Sequence, residues 1–141
     1  MSIKPQEFLR SAEELAATDA REVHQRNAIS RLYYAAYHRS CEYIEPDGKD
    51  RRNDNGRRVG SHRNYIEQLK ECDSGTPARK LGVSLSVVYS GRIRADYKLT
   101  EDVIPREFPM HLNRTRDIFT LIDATPTPPP VHRAPVLQII R

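Results

Sequence analysis

The sequence has little that would tie it to a membrane, an oxidising compartment or a metal. No apolar run approaches the roughly 18 residues that a membrane span requires, and the N-terminal MSIKPQEFLRSAEEL lacks the continuous apolar stretch of a secretory signal. The chain is therefore expected to work in the cytoplasm, with no membrane partner. It has only two cysteines, Cys41 and Cys72, and no CxxC spacing. A reducing compartment leaves such residues as thiols, and neither a zinc site nor any other cofactor is expected. No segment alternates apolar and polar residues between hairpin turns, so no sheet is expected either. What remains is a chain of 141 residues, 38% hydrophobic and 30% charged. That is enough for one core and too short for two ordinary domains.

Helical periodicity runs through residues 1–123. From Ser2 to Thr18 the apolar positions Phe8, Leu9, Ala12, Leu15 and Ala16 recur at helical spacing, with Pro5 acceptable in a first turn. A longer helix is expected from about Asp19, its N-cap, to Glu45, with Val23, Ile29, Leu32, Ala36 and Tyr43 repeating near 3.6 and Pro46 ending it. Residues 46–60, PDGKDRRNDNGRRVG, have no apolar period and read as a long loop. Ser61 can cap a short helix reaching Cys72 that buries Tyr65, Ile66 and Leu69. Thr76 and Pro77 then form an N-cap and N1 pair for a helix to about Tyr97, with Leu81, Leu85 and Val88 in one stripe. Within it, Gly82 and Gly91 either weaken the helix or permit close packing. A last helix, starting near Pro105, carries Phe108, Leu112, Ile118, Phe119, Leu121 and Ile122. The expected fold is all-α, a bundle of four to five helices. Residues 124–141, ATPTPPPVHRAPVLQIIR, should follow it as a disordered or extended proline-rich tail.

Charge is unevenly placed. Between residues 26 and 63 nine Lys and Arg stand against five acids, a surplus equal to the whole net charge of +4. Such a basic patch suits a polyanion, because each neutralised phosphate releases counterions; a merely solvated loop would carry the same residues.

On the second helix His24, Asn27, Arg31, Tyr34 and His38 are spaced by three, four, three and four residues, which places them along one face. Arg31 and His38 stand two turns apart, roughly 10 Å along the axis. Arginine presents a fixed fork of donors to a phosphate, and histidine takes or gives a proton near neutral pH. Metal-independent RNA cleavage needs those two abilities, a base for the 2′-hydroxyl and a cation on the phosphate. The same spacing also fits an arginine that bridges helices and a satisfied surface histidine.

The segment Ser30-Arg31-Leu32-Tyr33-Tyr34-Ala35-Ala36-Tyr37-His38, with Arg92-Ile93-Arg94-Ala95-Asp96-Tyr97 further on, resembles the HEPN superfamily over about Glu7 to Asp123. Members are helical bundles, commonly dimeric. Many are metal-independent ribonucleases of toxin–antitoxin, anti-phage and CRISPR-associated systems, with four to six residues between a catalytic Arg and His, and six stand between Arg31 and His38. The resemblance implies an RNA endonuclease acting as a homodimer, a toxin or effector restrained by an antitoxin or inhibitory protein. Arg31 and His38 would be catalytic, and Asn27 and Tyr34 would position them. His62 and Arg63, beside the basic loop, are candidates to bind substrate or to cap a helix. Arg92 can bind substrate or pair with Asp96 four residues on, and Tyr33, Tyr34 and Tyr37 can stack on bases or pack helices. The family also contains non-catalytic members, so a helical module that binds protein or nucleic acid is the alternative reading.

Overall fold

A computed structural model describes residues 2–18, 20–44 and 62–125. They form five helices and, among the described residues, no strand: α1 (Pro5–Thr18), α2 (Glu22–Ile44), α3 (His62–Lys70), α4 (Pro77–Tyr97) and α5 (Glu107–Ala124). The expected cap at Asp19, the loop at 46–60, the cap at Ser61 and the tail from residue 126 lie outside the described residues.

α2 is the hub, touching α1, α4 and α5, while α3 packs on α4 alone among the larger contacts. It serves two apolar clusters at once. Ala28, Ile29 and Leu32 meet Ala12, Ala95, Val103 and Phe108, and Tyr33, Ala36 and Tyr43 meet side chains of α3, α4 and α5. Ala12, Ala28, Ala35 and Ala36 are fully buried, and short side chains there allow neighbouring helix axes to approach closely. Val23 does not join this set. It is 55% exposed, and the buried apolar residues of α2 start at Ala28.

Helix ends follow local chemistry. Thr76 Oγ1 accepts from the Arg79 backbone N–H, and Pro77 occupies the first helical position of α4, as the sequence predicts. α3 ends at Lys70 rather than Cys72, with the Cys72 N–H closing a tighter turn onto the Leu69 carbonyl. The reversal that follows uses Gly75 at φ +83°, a backbone conformation side chains resist. α5 starts at Glu107, not Pro105. Residues 104–106 form a turn in which the Glu107 carboxylate accepts from the Ile104 N–H at 2.6 Å and the Glu107 N–H donates to the Ile104 carbonyl at 3.0 Å, and the first i→i−4 bond runs from the Met110 N–H to the Arg106 carbonyl. Pro109 falls in the first helical turn, where a missing N–H has no intrahelical acceptor to lose. α5 continues through Ala124, one residue beyond the expected boundary.

Gly82 permits close packing. A Cβ there would stand 2.8 Å from both the Leu69 Cβ and the Lys70 backbone nitrogen, atoms that cannot swing away. Gly82→Ala is expected to destabilise the bundle by about 1–3 kcal/mol, the usual range for overpacking. In urea this appears as a lower unfolding midpoint with an unchanged slope.

Candidate functional site

The polar face of α2 lies open between its neighbours. Asn27, Arg31 and His38 are exposed, and Tyr34 is half-buried. Arg31 makes no hydrogen bond or ion pair with a described residue, so its guanidinium is available for an anion.

His38 is exposed at one edge and packed on its faces. Phe8 of α1 stacks on it, ring centroids 5.7 Å apart at 20°, and Tyr34 lies 6.3 Å away at 22°. Tyr37 presents its edge at 5.3 Å. These apolar neighbours strip water from the imidazole and lower its pKa below the ordinary histidine value, an effect that the nearby Glu42 carboxylate opposes. The neutral ring, the form that accepts a proton, is therefore favoured at pH 7.

Tyr34 joins the site to α3 and α4. Its ring centroid stands 6.4 Å from that of His62 and its hydroxyl accepts from Arg92 Nη2 at 3.2 Å. Arg92 also forms the expected ion pair with Asp96, Nε to Oδ2 at 3.0 Å, and Ser30 Oγ donates to the same oxygen at 3.0 Å. Through these bonds Ser30, the residue before Arg31, is tied to α4.

His62 is drawn into the aromatic cluster. Its Nδ1 lies 2.8 Å from the Tyr33 hydroxyl, and its ring centroid is 4.3 Å from that of Tyr37. Tyr33 is fully buried, and desolvation pushes its pKa far up, so the hydroxyl stays protonated. Tyr33 and Tyr37 thus pack helices. Arg63 stands apart from the α2 face, exposed on a groove of about 540 Å³ shared with Tyr89, Ser90 and Lys98. The structure therefore gathers Tyr34, His38 and His62 through ring contacts, places Asn27 and Arg31 on the same helix face, and leaves Arg63 elsewhere.

Three contributors were not visible in the sequence. Phe8 reads as an ordinary core residue of α1, yet it forms one wall of the His38 position. Ser30 is an unremarkable serine until Asp96 is placed opposite. Arg26, next to Asn27, is buried: its Nη1 donates to the Ala95 carbonyl at 2.9 Å and the Arg94 carbonyl at 3.1 Å, its Nη2 to the Glu101 carbonyl, and its Nε to Glu22. The nearest sequence signal was the Glu22–Arg26 spacing of four.

No helix among the described residues is long and apolar enough to cross a membrane. Nor do three or more His, Cys, Asp or Glu side chains gather there around a common point.

Titration of His38 tests the electrostatics. Its imidazole resonances should titrate below pH 6.5, and Phe8→Ala, by readmitting water, should move the midpoint up towards that value. A midpoint at or above 6.5 in the wild type contradicts the packing described. Compared with known proteins, the chain matches no family model, no curated protein and no solved structure.

Proposed function

We propose that the protein is a metal-independent RNA endonuclease of HEPN type, working as a homodimer with the exposed faces of two α2 helices opposed. The observation that carries this reading is His38: an imidazole held by stacking, kept neutral by partial burial, and open at one edge on the same helix face as a free arginine. His38 takes the proton of the ribose 2′-hydroxyl. The 2′-oxygen attacks the adjacent phosphorus, the bond to the 5′-oxygen breaks, and that oxygen leaves with a proton. The products are a 2′,3′-cyclic phosphate and a 5′-hydroxyl. Arg31 holds the phosphate and offsets the charge that builds on it, which exposed guanidinium donors can do with two parallel hydrogen bonds.

A single copy supplies one base and one cation. A twofold arrangement sets two His and two Arg around one phosphate, so that the second histidine, when protonated, serves as the acid. Asn27 and Tyr34 flank Arg31 on the same face and position the ribose–phosphate chain. Uncontrolled RNA cleavage harms its host, so a toxin or defence effector held in check by an antitoxin or other inhibitory protein is the biological setting this chemistry suits.

Purified wild type, Arg31→Ala and His38→Ala should be assayed for RNA cleavage in EDTA. The expected loss is on the order of 10²-fold or more in each variant. Thermal unfolding should be nearly unchanged for Arg31→Ala, whose side chain is exposed, and modestly lowered for His38→Ala, which loses its contacts with the Phe8, Tyr34 and Tyr37 rings. Undiminished cleavage in either variant, or an absolute need for a divalent metal, would turn the reading to a non-catalytic module that binds nucleic acid or protein.

A further inference from the structure

Tyr97, the last residue of α4, is 65% exposed, far more than an aromatic ring needs at a helix end where a polar side chain would serve. The ring is nevertheless held in place. Arg92 Nη2 donates to its hydroxyl at 3.3 Å, and the guanidinium carbon lies 5.2 Å from the ring centroid. Arg92 itself is fixed on two further sides, by the Asp96 carboxylate and the Tyr34 hydroxyl. Asp96 reaches across to Ser30, the neighbour of Arg31. An unbroken series of contacts therefore runs from an open aromatic face to the turn of α2 that carries the free guanidinium.

A ring ordered in advance loses little entropy when something stacks on it. Every nucleobase offers a π-face for such stacking, and a guanidinium beside the ring adds its own attraction. Phosphate contacts place a nucleic acid without holding its bases, so the α2 face by itself leaves a base unsupported. We infer that Tyr97, backed by Arg92, is a stacking platform for one unpaired base of the RNA whose phosphate is bound at Arg31. This inference rests on the RNA reading above and adds to it a subsite that selects single-stranded RNA, since a paired base cannot offer its face.

The test uses two fluorescent ligands of equal length: a short 2′-O-methyl oligoribonucleotide, uncleavable because its attacking hydroxyl is blocked, and an abasic 2′-O-methylribose phosphate chain. Binding is measured by anisotropy for wild type, Tyr97→Ala, Tyr97→Phe and Arg31→Ala, with light scattering to report each oligomeric state. Tyr97→Ala should weaken oligonucleotide binding roughly five- to hundred-fold and leave the abasic chain unaffected. Tyr97→Phe, which keeps the ring, should stay within about threefold of wild type. Arg31→Ala should weaken both ligands.

Binding that depends on Arg31 but not on Tyr97 overturns the platform and spares the RNA reading. Equal losses on the two ligands in Tyr97→Ala, or a change in its oligomeric state, also overturn it, the latter pointing to a subunit contact. A wild type that binds neither ligand sinks both proposals.

Discussion

A buried guanidinium has to be satisfied, and in this fold one such group sets the register of the two helices that matter most. Arg26 is only 8% exposed, and its Nη1 and Nη2 donate to carbonyls at the end of α4 and in the turn beyond it while its Nε donates to Glu22. The Ala95 carbonyl belongs to the group that an α-helix leaves without partners at its C-terminus, whereas the Arg94 carbonyl also accepts from the Lys98 N–H. A slip of α2 along α4 would strand donor and acceptors together, each costing roughly 1–3 kcal/mol when buried unmade. With Arg26 in place, antiparallel pairing puts Ser30 opposite Asp96 and Tyr34 opposite Arg92, which leaves Arg31 facing outward.

The same helix must be apolar on the sides that α1, α4 and α5 cover and polar on the narrow side they leave. Its small residues reconcile the two. Ala12 and Ala28 share one core, so α1 runs close to α2 and Phe8 arrives over His38. The packing that stabilises the bundle thereby also dries the imidazole. His38 is exposed, as the proposed proton acceptor would need, and partial burial lowers its pKa below the ordinary histidine value. Arg31, two turns away, is exposed and makes no hydrogen bond or ion pair with a described residue. The imidazole and the guanidinium therefore differ in environment although they share one helix face.

Features that depend on nearby residues were legible in the sequence: the α4 cap at Thr76 and Pro77, the Arg92–Asp96 pair, and the exposed line of Asn27, Arg31 and His38. Features that depend on residues far apart were not. Arg26 finds its acceptors 68 to 75 positions away, and periodicity could not distinguish it from the exposed Arg31 on the same helix. Val23 fits the apolar period yet is 55% exposed. His62 fitted either substrate binding or helix capping, and its contacts with Tyr33 and Tyr37, which lie 25 to 29 positions back, had no signal in the sequence. Pro105 stands two residues ahead of α5, in the turn that Glu107 closes onto Ile104.

The proposed chemistry leaves a signature in its products that no packing argument can imitate. A substrate RNA with one 2′-hydroxyl in an otherwise 2′-O-methylated strand, incubated with the protein in EDTA, should be cut only after that nucleotide. Mass spectrometry should then show a 2′,3′-cyclic phosphate on one fragment and a 5′-hydroxyl on the other. Fragments ending in a 3′-hydroxyl and a 5′-phosphate, or cutting at the methylated positions, would contradict attack by the 2′-oxygen and with it the role assigned to Arg31 and His38.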